Sequence, residues 1–391
     1  MKGCALTLVL LLATAVAFAG CTKADTGAPV QPPAPEMGQA KAAPAAPLLP
    51  ADLQKNVKAA LDRAAKFLKD HQAPEGSWDK NPGITGICTL ALLKSGRGYS
   101  DVDDPFIRKP VQYLVGLQKT DGGIYEQELA NYTTSVAVQV LLSTKNPAYK
   151  DNIAKARAFL LGQQLDAKSG YESSDPGFGG IGYGSSLRPD LSNTQMWADA
   201  LRDLEKAGLE KDSDAWKKAV VFISRCQNRS ESNDRPWSSD DGGVTYSPWE
   251  SKAYEVPLPD GRKGLRSYGS MTYAFLKTMI YADVKKDDPR VVAAYDWIRK
   301  NYSVEENPQM GQQGLFYYYH TMAKALKAIG EPTLMDDKGV AHDWRKDLTE
   351  KILSLQAADG SWVNKNDRWF ESNPDLVTAY GILTLGELLD Q

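Results

Sequence analysis

Two kinds of segment alternate along residues 51–391. One kind is apolar on most sides, as in 133–142, and the other carries Lys, Asp and Glu beside its apolar positions. Apolar residues that recur every three to four positions indicate helices, and a helix that is apolar all round is buried. No competing run of alternating strand residues is evident. The pattern predicts a nearly all-helical chain in which polar outer helices alternate with buried inner helices.

A sixteen-residue signature recurs at the ends of the outer helices. Its clearest copy, 63–78, places Phe67 inside the helix and Gln72, Gly76 and Trp78 at and beyond its end. Glycine ends a helix at little cost, and a Gln amide can bind carbonyl groups that the last turn leaves open. We predict a clasp that ties each helix end to the following loop. Partial copies of the signature contain Gln118, Gln164, Gln227 and Gln356, and in the weak copy at 118–125 Tyr125 takes the place of the tryptophan.

Self-similarity at this period predicts a repeat architecture. Six outer and inner pairs in series, joined by short links, predict an all-α fold, a closed α/α toroid with six inner and six outer helices. Each inner helix is expected to begin near a Ser, Thr or Asn, as helix N-termini prefer. The six predicted inner helices span 85–94, 133–143, 194–204, 270–282, 318–329 and 378–388.

The first residues predict an export signal and a lipid anchor. Lys2 precedes a short apolar run, and residues 18–21 read Phe-Ala-Gly-Cys, which resembles a bacterial lipobox with Cys21 as the acylated residue. We expect a signal peptide at 1–20, an Ala/Pro-rich flexible tether at 21–50 and the ring at 51–391. Thr22 after the cysteine favours the outer membrane, facing the periplasm, by resemblance to Gram-negative sorting. The alternative is an ordinary cleavage site with a chance cysteine.

The charge and the cysteine content of the chain exclude some classes of binding partner and site. The net charge of −3, with no basic block, argues against nucleic acid. Beyond the tether only Cys88 and Cys226 remain, so we expect no disulfide framework and no Cys-x-x-Cys metal site. Cys88 lies in an apolar helix and is expected to be a small core residue. We expect no cofactor and no metal; the expected partners are the membrane, through the lipid anchor, and a hydrophobic small molecule.

The Gln…Gly-x-Trp repeats and the alternating helices resemble the terpenoid-cyclase and protein-prenyltransferase superfamily over residues 51–391, and 63–78 matches the squalene-cyclase signature. The resemblance implies an α/α toroid with an aromatic-lined central cavity. If the protein is an enzyme, it implies terpene cyclase or prenyl-group chemistry. Toroids of this type also serve as non-enzymatic modules, so the fold does not imply the activity.

Class II cyclases of this superfamily protonate a polyene with the middle Asp of an Asp-x-Asp-Asp-Thr-Ala motif. Residues 101–104 read Asp-Val-Asp-Asp, but Pro105 follows, and we interpret Asp103 or Asp104 as a helix cap. The better positional match opens an inner helix at 190–195. There a serine stands at the position of the proton donor and is too weak an acid for that reaction. The candidate catalytic or cavity-lining residues are Asp190, Ser192, Asn193 and His320, with capping by Ser192 or Asn193 as the alternative.

The zinc site of protein prenyltransferases needs an Asp two residues before a Cys and a distant His. Gly86 and Ser224 stand at the Asp positions before the two cysteines. The chain therefore departs from that pattern, and zinc-dependent prenyl transfer is disfavoured.

Aromatic and charged residues concentrate where the inner helices begin. The run 316–320 is the densest, and long aromatic, Gly-rich connections at 177–185, 235–250 and 366–371 also precede inner helices. All should gather at one end of the ring, although aromatic residues also commonly pack between helices. His320 is expected to be either a cavity contact or a hydrogen-bonded core residue. The candidate ligand-binding residues are Tyr132, Trp237, Tyr268, Tyr318, Arg368 and Glu371.

These patterns lead to two hypotheses of function. The first is an envelope lipoprotein whose pocket binds, or acts on, a hydrophobic isoprenoid-like ligand, with the class II acid absent. The second is a non-catalytic binding or scaffold module that recognises a glycan or protein through the loop-rich end of the ring. A glycan-cleaving enzyme on a toroid is a third reading, but no pair of carboxylates supports it.

Overall fold

A computed structural model describes residues 49–184 and 188–389, and the expected signal peptide, Cys21 and nearly all of the tether lie outside these residues. Twelve α-helices in the described part form the predicted α/α toroid. The outer helices are α1 (Ala51–His71), α3 (Pro105–Gly116), α5 (Lys150–Gly162), α7 (Ser213–Ser224), α9 (Pro289–Lys300) and α11 (Trp344–Ser354). The inner helices are α2 (Pro82–Lys94), α4 (Ala130–Thr144), α6 (Leu191–Lys206), α8 (Gly269–Tyr281), α10 (Leu315–Ile329) and α12 (Pro374–Leu389).

The inner helices pack side by side in chain order, and α12 packs against α2, which closes the inner ring. α11 packs against α1, so the outer layer closes at the same place. α1 buries one stripe that includes Leu53, Val57 and Leu61, whereas α2 buries nearly every residue from Ile84 to Leu92. This difference confirms the assignment of outer and inner helices from the sequence pattern.

Two small hairpins lie between helices. β1 (Glu255–Pro257) pairs antiparallel with β2 (Lys263–Leu265) before α8, and β3 (Leu334–Met335) pairs antiparallel with β4 (Ala341–His342) before α11. No described helix combines the length and the apolar character that crossing a bilayer requires.

Five glutamines make the same pair of hydrogen bonds. Gln72 Nε2 donates to the carbonyl of Gly76 (3.0 Å) and to that of Phe106 (2.9 Å), in the first turn of the next outer helix. The clasp therefore joins one outer helix to the next, rather than binding the open carbonyl groups of its own helix as predicted. The same two bonds are made by Gln118, Gln164, Gln227 and Gln356, the last of which reaches α1 and closes the ring.

The clasp glycines allow the turn to lie against the next outer helix. At Gly179, which has a φ of 84°, an added Cβ would lie 1.9 Å from the carbonyl oxygen of Lys218. Only glycine fits such a contact without displacing backbone. Gly76, Gly122, Gly242 and Gly360 share the positive φ and the close approach to the following outer helix.

The open carbonyl groups near the helix ends are bound by tryptophan. Trp78 Nε1 donates to the carbonyl of Leu68 (2.9 Å), and Trp362 Nε1 donates to that of Ile352 (2.8 Å). Both side chains are fully buried. In the middle copies the tryptophan position is taken by Ile124, Ile181 and Val244, so the weak copy at 118–125 aligns on Ile124 and not on Tyr125.

The inner helices begin three or four residues before their predicted starts, except α8, which begins one residue earlier. Asn81 caps α2 and Asp190 caps α6, each accepting from backbone N–H groups of the first turn. Thr85 and Thr194 lie inside the first turn, where Thr85 Oγ1 accepts from the N–H of Trp78 (3.0 Å) and Thr194 Oγ1 from that of Ile181 (3.2 Å). Thr134, Thr272 and Thr378 do the same. The threonine hydroxyl groups thus bind the backbone N–H groups at the ends of the clasps. The interpretation of these threonines as helix caps was wrong.

Candidate functional site

A pocket of about 250 Å³ opens at the end of the ring where the inner helices begin. The first turns of α4, α6, α8 and α10 contribute to its wall, together with α12 and three connecting segments. Eight of its thirteen lining residues are aromatic. The lining residues are Leu129, Tyr132, Tyr183, Ser192, Tyr246, Tyr268, Ser270, Met271, Tyr317, Trp369, Phe370, Glu371 and Tyr380.

Tyrosine pairs form one side of the pocket. The rings of Tyr132 and Tyr183 stack with their centroids 5.7 Å apart, and the hydroxyl groups of Tyr183 and Tyr246 lie 2.8 Å apart. Burial raises the pKa of Tyr132 well above its ordinary value, and that of Tyr246 is raised for the same reason. These side chains therefore present neutral hydroxyl groups and aromatic faces to the pocket.

Ser192 contacts two tyrosine hydroxyl groups at the pocket wall. Its Oγ is hydrogen-bonded to the hydroxyl of Tyr132 and lies 3.3 Å from the hydroxyl of Tyr317. We call these three residues the hydroxyl triad. Neither Ser192 nor Asn193 caps α6, because Asp190 holds that position. The alternative of capping by Ser192 or Asn193 is therefore excluded.

Asp190 is buried behind the pocket lining. Its Oδ1 accepts from the backbone N–H of Asn193 (2.8 Å), and its Oδ2 accepts from the Asn193 side-chain amide (2.8 Å). Burial raises the pKa of Asp190 to about 6, although the bonds from Asn193 oppose that rise. The amide of Asn131 in turn donates to Asn193 Oδ1 (3.1 Å), so this carboxyl group fixes the start of α6 against α4.

Glu371 is the acid that lines the pocket. Burial raises its pKa, and hydrogen bonds to its carboxylate oppose the rise. Oε1 accepts from the backbone N–H of Tyr317 (2.9 Å), and Oε2 accepts from the amide of Asn364 (2.7 Å). Both oxygens are thus occupied as acceptors at the start of α10, where an anion is favoured by the helix dipole.

A buried ion cluster joins three of the inner helices. Asp199 Oδ2 of α6 lies 2.8 Å from Lys277 Nζ of α8 and 2.9 Å from Lys324 Nζ of α10. Burial opposes the charge on Asp199, but the two ammonium groups outweigh it and hold its pKa below the ordinary value. Burial lowers the pKa of Lys277 to about 8. We call these three residues the ion cluster.

A chain of hydrogen bonds links the ion cluster to the pocket. Lys277 Nζ donates to Gln195 Oε1 (2.5 Å), and Gln195 Nε2 donates to the hydroxyl of Tyr317 (2.9 Å). Every member of this chain is at least nine-tenths buried except Tyr317, whose side chain reaches the pocket. The aromatic pocket is therefore connected by hydrogen bonds to a buried charged cluster between α6, α8 and α10.

The rim of the pocket exposes large apolar side chains on unusual backbone. Leu129, Trp369 and Phe370 are 41%, 42% and 73% exposed, with φ values of 56°, 60° and 64°. Positive φ in such residues costs roughly 1–3 kcal/mol each and concentrates at functional sites. Tyr254 shares both properties and Trp249 is also exposed, although these two residues line a separate depression and not the pocket. We call these five residues the aromatic rim.

The structure brings four of the sequence-predicted site residues together in the pocket: Tyr132, Ser192, Tyr268 and Glu371. Asp190 and Asn193 lie directly behind this lining. Arg368 lies beside the pocket, where its guanidinium group stacks on Trp369 at 4.5 Å.

Three candidates are placed elsewhere. The expectation that Tyr318 faces the cavity was wrong, because its hydroxyl donates to the carbonyl of Ser303 (2.7 Å) and its neighbour Tyr317 lines the pocket. Trp237 donates to the carbonyl of Pro248 (2.8 Å) and is not a lining residue. His320 is half-buried and does not line the pocket; its ring lies 6.1 Å from that of Tyr380, and desolvation and the nearby Lys324 lower its pKa to about 3.

The acidic run 101–104 is also separate from the pocket. Asp101 Oδ2 accepts from the amide of Asn146 (2.8 Å) and from the hydroxyl of Tyr149 (2.9 Å). Asp104 occupies the N-cap position of α3, but its carboxylate accepts from the N–H of Ser100 and makes no cap bond to the helix. The capping interpretation is therefore right in position and wrong in its hydrogen bonding.

Sequence reasoning missed the ion cluster and did not name nine of the thirteen pocket-lining residues as site residues. A lysine in the middle of the apolar inner helix 270–282 was the available signal, since a buried lysine requires a partner. The missed pocket residues are Leu129, Tyr183, Tyr246, Ser270, Met271, Tyr317, Trp369, Phe370 and Tyr380.

Comparison with known proteins gives a family match over most of the ring. The squalene-hopene cyclase C-terminal domain family matches residues 130–379. A lanosterol synthase of Aspergillus fumigatus is 29% identical over 127 residues, and the match covers 28% of this chain and 16% of that protein. The chain thus spans less than a fifth of the length of this relative.

Solved structures show the same fold at low sequence identity. A variant of the type II terpene cyclase MstE from Scytonema, in complex with geranylgeranyl dihydroxybenzoate, superposes with a TM-score of 0.53 at 12% identity. A D-mannose isomerase reaches 0.55, also at 12% identity. Each match covers 87% of this chain and 99% of the other.

Proposed function

This chain belongs to the squalene-hopene cyclase C-terminal domain family, and from that premise we propose that its pocket binds a hydrophobic isoprenoid-like ligand without the proton donor of a class II cyclase. The observation that supports the proposal is the aromatic lining of the pocket beside the hydroxyl triad. Apolar pockets with a few polar groups are the usual form of small-molecule sites. Variants of the type II terpene cyclase MstE, which has a similar fold, are found in complex with geranylgeranyl dihydroxybenzoate or with merosterolic acid A, which agrees with this class.

The hydroxyl triad argues against cyclisation started by a protein acid. Protonating an alkene needs a strong neutral carboxylic acid, and a serine occupies that position in this chain. Glu371 is not arranged as that acid, because the hydrogen bonds that both of its oxygens accept favour the ionised form. Asp190 is likewise held by Asn193. We propose binding as the function, and protonation as the step that the protein lacks.

Pocket size limits what is bound. Pockets for drug-sized ligands measure about 300–1,000 Å³, so a pocket of 250 Å³ suits a short isoprenoid or one end of a longer one. The ion cluster lies buried between α6, α8 and α10, the same helices whose first turns line the pocket. A long chain would extend past the aromatic rim.

Native mass spectrometry of the full chain with extracted bacterial envelope lipids tests this proposal. We expect one ligand per protein, and its loss in the pocket-filling variant Met271→Trp, because Met271 lines the pocket. Met335→Trp is the matched control, since Met335 is 44% exposed in β3 and outside the pocket. A ligand that remains bound to a folded Met271→Trp variant would contradict the proposal.

A second candidate is a binding module that recognises a glycan or protein through the aromatic rim. Its support is the exposure of Trp369, Phe370 and Tyr254, because exposed aromatic patches commonly mark interaction sites. A glycan array with wild-type protein and Phe370→Ser tests it. Binding that depends on Phe370 and survives Met271→Trp would favour this module over the pocket.

For the location, we propose a lipid-anchored envelope protein. The support is the lipobox-like sequence that ends at Cys21. Cys21→Ala should move the protein from the membrane fraction to the soluble fraction and abolish palmitate labelling. A variant that still sediments with membranes and still incorporates palmitate would show that the lipobox interpretation is wrong.

A further inference from the structure

The orientation of one buried amide determines what the pocket can offer to a ligand. Gln195 connects the ion cluster to the hydroxyl triad, and an amide can present either its oxygen or its nitrogen to a neighbour. Lys277 settles which one, because an ammonium group only donates hydrogen bonds and so requires Gln195 Oε1. The Nε2 of Gln195 must then face the hydroxyl of Tyr317 and donate to it.

One O–H donor of the hydroxyl triad has no acceptor within the triad. The triad has three hydroxyl hydrogens and two internal contacts, between Tyr132 and Ser192 and between Ser192 and Tyr317. Each contact uses one hydrogen, and Gln195 accepts none because its nitrogen faces Tyr317. Within 49–184 and 188–389 no further acceptor contacts these hydroxyl groups. One O–H group of the triad is therefore available to the pocket, whichever way the two contacts are directed.

The hydroxyl groups keep their hydrogens at neutral pH. Burial raises the pKa of Tyr132 and of Tyr317 above the ordinary value for tyrosine. A buried donor without an acceptor carries a desolvation cost, which a bound acceptor atom would remove. The free O–H group thus favours a ligand that has an oxygen at this point.

The charges around the pocket favour an uncharged ligand oxygen. No lysine, arginine or histidine is among the described lining residues, whereas Glu371 is. A carboxylate or phosphate would lose its hydration beside that acid without gaining a cation in the lining. A ketone or ether oxygen accepts the same hydrogen bond at a much lower desolvation cost.

We infer that the ligand carries an uncharged acceptor oxygen, such as a ketone or ether oxygen, which receives a hydrogen bond from the hydroxyl triad. The inference rests on the proposed function, since it names the chemical class of the ligand in the same pocket. Lys277 and Gln195 act as positioning residues, because they direct the donor and do not touch the ligand.

Calorimetric titration of the full chain with two matched probes tests the inference. The probes are geranylacetone and its isostere in which a methylene group replaces the carbonyl oxygen. Wild-type protein should bind the ketone about fivefold to tenfold more tightly, which is the size of one net hydrogen bond. Gln195→Glu should bring the ratio close to one, because a carboxylate accepts the hydrogen of Tyr317 while still pairing with Lys277.

Two further variants separate this account from a general effect on the pocket. Tyr317→Phe removes one hydroxyl hydrogen of the triad together with the contact between Ser192 and Tyr317. One O–H group without an acceptor therefore remains, and the protein should still bind the ketone more tightly than its isostere. Tyr380→Phe removes a different pocket hydroxyl, and the ratio should stay at its wild-type value even if the affinity for both probes changes. Loss of the ketone preference in Tyr380→Phe with retention in Gln195→Glu would overturn the inference.

A measurement on wild-type protein keeps the test independent of variant folding. Infrared spectroscopy of geranylacetone with a carbon-13 carbonyl should show a shift to lower frequency on binding, as for a hydrogen-bonded ketone. An unshifted carbonyl, or equal affinity for the two probes, overturns the inference and leaves pocket binding intact. Failure of both probes to bind, with Met271→Trp indistinguishable from wild type, would count against the proposed function itself.

Discussion

At the outer edge of the ring five clasps repeat the same contacts, whereas the polar side chains at its centre occur once each. Every clasp has a Gln that binds two carbonyl groups and a Gly pressed against the next outer helix. The centre has one Asp199, one Lys277 and one hydroxyl triad, contributed by different helices. The repeated clasps close the ring. The residues that occur once distinguish the centre of this ring from other rings of the same fold.

The two regions also handle polar groups differently. The clasps use neutral amides and indoles to bind backbone carbonyl groups, which any helix end provides. The centre buries charges that only each other can satisfy, so loss of one partner leaves another unpaired. Substitutions at the edge should therefore change stability alone, and substitutions around the pocket should change binding as well.

Clasp tryptophans should show the largest effect on stability. Trp78→Ala or Trp362→Ala should lower the free energy of unfolding by ~3–5 kcal/mol, since each removes a fully buried ring and its bond to a helix carbonyl. Urea denaturation measures this. Trp369→Ala at the rim is the matched control and should change stability by less than about 1 kcal/mol while weakening ligand binding. Equal destabilisation by both kinds of variant would remove the distinction.

The ion cluster should be nearly as sensitive. Asp199→Ala leaves two buried ammonium groups without their carboxylate and should cost about 3–5 kcal/mol. The control is Asp70→Ala in the exposed pair with Lys66, where the expected change is below about 1 kcal/mol. Thermal melts of the two variants side by side test this difference. A tolerated Asp199→Ala would mean that the cluster is hydrated and the ring centre open.

Acid should destabilise the ring through His320. Its pKa is lowered to about 3 in the folded protein, so between there and its ordinary value of 6.5 the unfolded chain binds the proton and the folded chain does not. The contribution of His320 to the free energy of unfolding is fully present above pH 6.5 and decreases as the pH is lowered. At about 1.4 kcal/mol per pH unit, wild type should lose about 2 kcal/mol from this group between pH 6.5 and pH 5.

His320→Leu should remove that part of the pH dependence. Denaturant melts of both proteins at the two pH values give the difference directly, and Asp190, whose raised pKa acts in the opposite direction, is common to both. An identical pH dependence in the two proteins would show that His320 is solvated.

The smallest effect is expected at the acidic run before α3. Asp103 is exposed and accepts a hydrogen bond from the hydroxyl of Ser100 (3.0 Å). Asp103→Asn should therefore change the free energy of unfolding by no more than the ~0.5–2 kcal/mol that a helix cap contributes. Binding at the pocket should not change. A cyclic terpene product that disappears in this variant would instead make the run 101–104 the catalytic motif.

The architecture was predictable because the clasp recurs. Gln72 and Gln356 stand at the same spacing from a Gly and a Trp, and five copies of the clasp among six helix pairs predict a closed ring. The partners of Gln72 were not predictable, since the carbonyl of Phe106 belongs to a helix 34 residues away in sequence. Ile124 was overlooked because an aliphatic residue replaces the indole, so the alignment shifted to a nearby aromatic residue.

The pocket was harder to predict because it depends on helix phase. Successive residues of a helix point about 100° apart. Because the predicted start of α10 was three residues late, the sequence provided no basis for deciding whether Tyr317 or Tyr318 faces the pocket. The loop that brings Glu371 to the start of α10 also has no local signal. Asp199 and Lys277 are 78 residues apart in sequence, and nothing in either segment pairs them.

Hydrogen–deuterium exchange of the full chain with and without geranylacetone tests the central claim most directly, because it reports where the ligand acts on the ring. The account predicts slower exchange at the first turns of α4, α6 and α10 and at 366–371, with no change at the clasp turns such as 72–78. Met271→Trp should abolish the protection. Protection confined to the rim around 249–257, or protection that survives Met271→Trp, would contradict a ligand-binding centre.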